Sequence, residues 1–110
     1  MTTPDYPIFA NSTQYQAIAA SATNQAIGPG GGAAGDYLSH VTIVPASTSP
    51  GAVSIADGGG SAITIFAGGA TTALITLTPF TVALGAKSTG GAWKVTTGAS
   101  VSIVAFGQFT

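Results

Sequence analysis

From Asp36 to its end the chain runs in short apolar/polar alternations, and a glycine or proline cluster breaks each one. A strand sends successive side chains to opposite faces, so a short run of period two bounded by turn residues marks a half-buried strand. Leu38, His40, Thr42 and Val44 alternate with Tyr37, Ser39, Val41 and Ile43, and Pro45 stops the run. Ser47-Thr48-Ser49-Pro50-Gly51 makes a turn. Ala52 to Ala56 and Ser61 to Ala67 flank Asp57-Gly58-Gly59-Gly60, and an Asp-Gly start between two β-rich runs signals a hairpin. Gly68-Gly69 separates that hairpin from a run over Thr72–Thr78, Pro79 interrupts, and Phe80 to Leu84 continues. Lys87-Ser88-Thr89-Gly90-Gly91 is a further turn, Trp93 to Thr96 a strand, and Ser100 to Phe106 the last strand.

Upstream the signals are weaker. Gln16, Ile18 and Ala20 alternate with Ala17, Ala19 and Ser21, which reads as one or two short strands between Tyr15 and Ile27, with a short helix as the competing reading because of the alanines. Gly28 to Gly35 is a loop. The total is roughly seven to nine short strands with a turn about every 8–12 residues, the pattern of a sandwich or small barrel. The expected fold is all-β, a small β-sandwich or jelly-roll-like domain over residues 14–110. Gly51-Ala52-Val53-Ser54-Ile55 echoes Gly98-Ala99-Ser100-Val101-Ser102-Ile103 with one insertion, as two similar strand starts would.

Residues 1–13 are expected to form an extended N-terminal arm. Pro4 and Pro7 remove two backbone donors, which disfavours both helix and central strand. Tyr6, Ile8 and Phe9 give the arm apolar area that needs a surface to bury against, on its own domain or on a neighbour. These three are the candidate docking residues.

Charge is nearly absent. Among 110 residues only Asp5, Asp36, Asp57, Lys87 and Lys94 are charged, and the formal net charge is −1. A typical domain carries about a quarter charged residues, and interspersed charge keeps a free monomer soluble. A surface of Ser, Thr, Gly and Ala suits a subunit whose neighbours cover it. Two separated lysines cannot neutralise a phosphate backbone or hold an anionic membrane. The uncharged stretch from Gly58 to Ala86 carries Gly68, Gly69, Pro79 and six threonines, and its period of two argues against a membrane-spanning helix. With no cysteine, disulfides and thiolate metal sites are ruled out. The N-terminus has no basic or apolar leader pattern, so the Asn11-Ser12-Thr13 sequon carries no weight.

Catalysis needs positioned acids, bases, nucleophiles or metals. His40 is the single histidine, and as a general base its partner would be Asp36 or Asp57. The plainer reading is a half-buried or interfacial histidine, since no serine sits in a nucleophile elbow and one histidine binds metal poorly. Asp57 and Asp36 suit turn positions, where a carboxylate bonds backbone amides. Gly30 to Gly35 fits G-x-G-x-x-G, but Pro29 precedes it and a β-run follows, so it reads as a linker. Trp93 serves either as a sugar-stacking ring with Tyr37 or Tyr15, or as a core anchor, and the core role is the expected one. No enzyme activity, cofactor or metal is expected.

Three segments carry a resemblance: Asp36 to Val41, Thr48 to Ile55, and Trp93 to Ile103. Together they resemble small virion proteins of tailed bacteriophages, above all capsid decoration (cement) proteins, over roughly Asp36 to Thr110. The resemblance implies a β-sandwich knob on the outer capsid, often a homotrimer, that bridges subunits of the major capsid protein. The protein would be made in the host cytoplasm and reside on the virion surface, with neither nucleic acid nor membrane as partner. The family has no shared catalytic motif to carry over. A head-fibre, tail or receptor-binding module is the alternative.

Overall fold

In the computed structural model, residues 14–68 and 77–110 form two four-stranded antiparallel sheets, and these are the residues the structure describes. The expected arm, with Tyr6, Ile8 and Phe9, lies outside them, as does most of the run expected over Thr72–Thr78. The strands are β1 (Gln14–Ile18), β2 (Gln25–Ala26), β3 (Tyr37–Pro45), β4 (Val53–Asp57), β5 (Ile63–Phe66), β6 (Phe80–Lys87), β7 (Trp93–Thr97) and β8 (Val101–Gln108). Every regular element among the described residues is a strand, so the Ala-rich segment is strand and turn. No helix there is long and apolar enough to cross a membrane.

One sheet has the order β1-β8-β3-β6 and the other β2-β7-β4-β5. The pairs β1·β8, β2·β7, β3·β6 and β4·β5 are those of one long antiparallel ribbon folded at the β4–β5 turn. Rolling that ribbon up brings β8 beside β3 and β7 beside β4. This is a jelly roll. The Asp57-Gly58 hairpin at its tip is the turn expected from the sequence, and Gly60 N–H bonds the Asp57 carbonyl there.

The core fills the space between the sheets. Ile18, Ile27, Leu38, Val41, Ile43, Val53, Ile55, Trp93, Val95, Val101, Ile103, Ala105 and Phe109 form one buried cluster. Each large aliphatic residue in it contributes roughly 1.5–3 kcal/mol of transfer free energy. Trp93 is the core anchor, with its indole N–H donating to the Asp36 carbonyl at 3.1 Å.

The echoing segments meet in space. Gly51 N–H bonds Ala99 O and Gly98 N–H bonds Ala52 O, each at 2.8 Å. A Cβ on either glycine would lie 2.6 Å from the other's Cα, so only glycine permits the crossing.

The alternation in β3 shifts phase once. Leu38 pairs with Gly107, but His40 pairs with Phe106, so Ser39 is an extra residue in β3. On the other side β6 runs from Ala86 to Ala83 across the same step, and Gly85 takes φ +67 there. Across one level β8, β3 and β6 therefore advance by one, two and three residues. Such stacked bulges bend the sheet. The sequence pattern alone puts Leu38 and His40 on one face; the bulge separates them. Leu38 joins Val41 and Ile43 in the core, and His40 faces outward with Thr42 and Val44.

Candidate assembly interface

The outer face of the β1-β8-β3-β6 sheet is built from residues that alternate with the core set. Register places Tyr15, Phe106, His40 and Ala83 in one row across the four strands. Ala17, Val104, Thr42 and Thr81 form the next, followed by Ser102 and Val44. None of these ten residues is charged. A solvated outer face normally alternates polar residues against the buried set. Here six of the ten, Tyr15, Ala17, Ala83, Val104, Phe106 and Val44, are apolar or aromatic.

The first row is an aromatic line. The Phe106 ring stacks on the His40 imidazole at 4.5 Å with 13° between planes. Tyr15 leans on the other side of Phe106 at 6.5 Å and 39°, and is 73% exposed. Ser39 Oγ lies 3.0 Å from His40 Nδ1, so the bulge that turns His40 outward also supplies its polar contact. In the second row the Thr42 and Thr81 hydroxyls meet at 3.1 Å.

The opposite sheet presents a different outside. Lys94 pairs with Ala56 and Ala26, Thr96 pairs with Ser54, and Ser54 pairs with Thr64. Asn24 N–H bonds the Thr96 hydroxyl at 3.0 Å. That face is polar and carries Lys94, whereas on the first sheet the ten-residue patch is uncharged and Lys87, paired with Tyr37, stands at its edge.

The remaining chemistry is occupied structurally. Both Asp57 oxygens accept from the Thr89 amide, at 2.9 and 3.0 Å, and they also take the Thr89 hydroxyl and the Gly90 amide at 2.9 Å. The Gly90 amide, then that of Thr89, holds the Asp57 carboxyl below its ordinary value of 3.8. Asp57 thus tethers the neighbouring turn, whereas sequence placed it in its own. Asp36 accepts from the Ala33 amide at 3.0 Å, the Thr110 amide at 3.2 Å and the Thr110 hydroxyl at 3.0 Å. It sits in a shallow depression of about 310 Å³ lined by Gln14, Gly35, Gln108, Phe109 and Thr110. Among the described residues no other titratable side chain lines that depression. His40 meets Ser39 and Phe106, and no cluster of three His, Cys, Asp or Glu forms among the described residues.

Phe106 and Val104 were not singled out by sequence. Their signal was the outward phase of the last strand, which becomes informative once the β1·β8·β3 register is known. Comparison with protein-family models, with curated proteins and with solved structures finds no match to this chain.

Proposed function

We propose that this protein is a structural subunit of a virion, a capsid decoration protein that stabilises an icosahedral phage shell by bridging major capsid subunits. The observation that carries this reading is the uncharged ten-residue patch on the outer face of the β1-β8-β3-β6 sheet, with its Tyr15-Phe106-His40 line. An uncharged, largely apolar patch on a sheet face is costly to leave in water and well suited to lie against another protein. The jelly roll agrees at the level of architecture, since capsid proteins and lectins both use it. The arm, through Tyr6, Ile8 and Phe9, is the docking element that adds multivalent attachment to an oligomer, here taken as a homotrimer.

The test is mass-spectrometric identification of the chain in purified particles, followed by an electron cryo-microscopy map of the shell. The expected result is density on the outer surface, with the β1-β8-β3-β6 sheet toward the capsid. Absence from particles overturns the reading.

The exposed Tyr15 ring supports the second reading, a head-fibre, tail or receptor-binding module, because an exposed aromatic is a surface on which a sugar stacks. Glycan binding that Tyr15→Ser abolishes, with capsid attachment intact, would favour it.

A further inference from the structure

His40 sits inside the uncharged patch. It is third of four in the row Tyr15, Phe106, His40, Ala83, with Thr42 in the row beside it. His40 and Tyr15 are the only ionisable side chains among the ten, and the chain has no second histidine and no cysteine. Of the side-chain types present, histidine alone ordinarily changes its charge between pH 5 and 8. Across that range the patch therefore has two states, one uncharged and one with a single positive charge near its middle.

While the patch faces water, both states are accommodated. A hydroxyl both donates and accepts, so Ser39 Oγ, 3.0 Å from His40 Nδ1, suits a neutral ring and a protonated one alike. The Phe106 ring stacks on the imidazole at 4.5 Å, and an aromatic face attracts a cation. His40 is only half-buried, so water solvates the rest of the charge.

Covering the patch removes that water and treats the two states differently. A neutral polar group that keeps its hydrogen bond is buried at little cost, whereas a charge buried without an opposite charge costs far more. Among the described residues no opposite charge is at hand. β8 brings no titratable side chain, β1 brings Tyr15, β3 brings Tyr37, and β6 brings Lys87, a cation paired with Tyr37 at the patch edge. Asp36, just before β3, is bound to Thr110, and Asp57 on the other sheet is bound to Thr89 and Gly90. We propose that His40 makes the patch a pH-gated contact, which holds a partner surface while the imidazole is neutral and releases it when the imidazole takes up a proton. This rests on the reading of the patch as the attachment face and adds its regulation. A contact that excludes one proton weakens as pH falls, by at most about tenfold per pH unit.

The test compares the native chain with His40→Gln, which cannot take up the proton, at pH 7.5 and 5.5. Both values lie above the range in which the Asp57 carboxyl, held below 3.8, titrates. One readout is co-sedimentation with particles. The other is the salt concentration at which the protein leaves a phenyl-agarose column, a plain apolar surface. Between the two pH values, attachment of the native chain to particles is expected to weaken by about tenfold or more, and its retention on the column to shorten. His40→Gln is expected to show neither response. The ratio across pH is read for each protein separately, so any change in affinity caused by the substitution itself drops out. Equal responses in the two proteins, or no response in the native chain, would overturn the proposal. So would tighter attachment at pH 5.5, which means that the partner sets a carboxylate opposite His40. The particle assay decides if the chain attaches to particles, and the column decides if it does not. A native chain absent from particles at both pH values removes the capsid role and leaves the gate to the column; a chain that attaches at both values regardless of pH removes the gate and leaves the capsid role.

Discussion

The His40 imidazole and the Phe106 ring lie nearly parallel, 4.5 Å apart, on the outside of the first sheet rather than in a cleft. They face each other because the Ser39 bulge puts His40 opposite Phe106 on the strand beside it. The stack gives the one histidine a packing role on the sheet surface. Among the described residues no acid stands beside it, since Asp36 is bound to Thr110 and Asp57 to Thr89 and Gly90.

Phe106→Ala should separate folding from assembly. The ring packs on Tyr15 and His40 on the outer face, so its loss should cost about 1 kcal/mol, the scale of a cross-strand aromatic pair. If the outer face is the attachment surface, binding to particles should weaken at least tenfold. Thermal melting and a particle co-sedimentation assay measure the two effects. A large loss of stability with unchanged attachment would mean the face is structural only.

Trp93→Phe should destabilise by about 2–3 kcal/mol. The substitution removes the indole N–H bond to the Asp36 carbonyl, which keeps its bond from the Ser88 amide at 2.8 Å, and leaves part of the ring's volume empty between the sheets. For a domain near this size 1 kcal/mol moves Tm by about 4–8 °C, so a fall of at least 8 °C is expected in calorimetry. A fall under 3 °C would show that Trp93 is not the anchor.

The fold class was legible because its signals are local. The alternation in β3, the Asp57-Gly58 turn and the Trp93 strand are each readable from a few adjacent residues. The pairing of β1 with β8 joins residues some ninety positions apart, such as Gln14 and Gly107, and no local pattern encodes it. The outward position of His40 was hidden for a different reason. A bulge changes the phase of a strand without changing its composition, so counting by twos from Leu38 puts His40 on the wrong face. The patch that forms the candidate interface therefore emerged only with the register, and its lack of charge became meaningful once ten residues from four strands lay side by side.

Asp57 should give the protein an acid-sensitive component of stability. Its folded carboxyl is held below 3.8 by the Gly90 and Thr89 amides. A lowered folded value means the contribution is fully present above the unfolded value and is lost as pH falls through the folded one. Stability measured by urea unfolding should be flat above about pH 5 and decline below pH 4. Asp57→Asn should lower stability at neutral pH and reduce that decline. An unchanged acid profile in the variant would show that Asp57 does not carry the decline.

Gly98→Ala should be among the most damaging small substitutions. Its methyl would lie 2.6 Å from the Gly51 Cα and 2.9 Å from the Gly51 carbonyl carbon, both backbone atoms that cannot rotate away. The two reciprocal hydrogen bonds at the crossing would have to open. A loss of about 2–4 kcal/mol is expected from overpacking and lost hydrogen bonds together. Ala99→Gly next to it, at an exposed turn position, should cost under about 1 kcal/mol. Equal melting temperatures for the two variants would refute the close crossing.

Deleting one residue from β3 should have opposite consequences at two nearby positions. Ser39 is the residue that β3 carries in excess of β8. Without it Leu38 precedes His40 directly, and Leu38, Val41 and Ile43 can still face the core while His40 still meets Phe106. The deletion regularises the β3·β8 ladder and strains only the pairing with β6, where Gly85 already accommodates extra chain. A loss of about 1–2 kcal/mol is expected, with the fold retained. Deleting Thr42 breaks the phase instead. Val41 and Ile43 become neighbours on opposite faces, so either Leu38 and Val41 or Ile43 and Pro45 must leave the core. Expelling two buried residues costs at least about 4 kcal/mol, a large part of the 5–15 kcal/mol that holds a domain together, and the chain should fail to fold. Urea unfolding of both deletion variants, read by Trp93 fluorescence, measures the contrast. Equal damage from the two deletions would mean that Ser39 is not a bulge residue and that the outward placement of His40 has another cause.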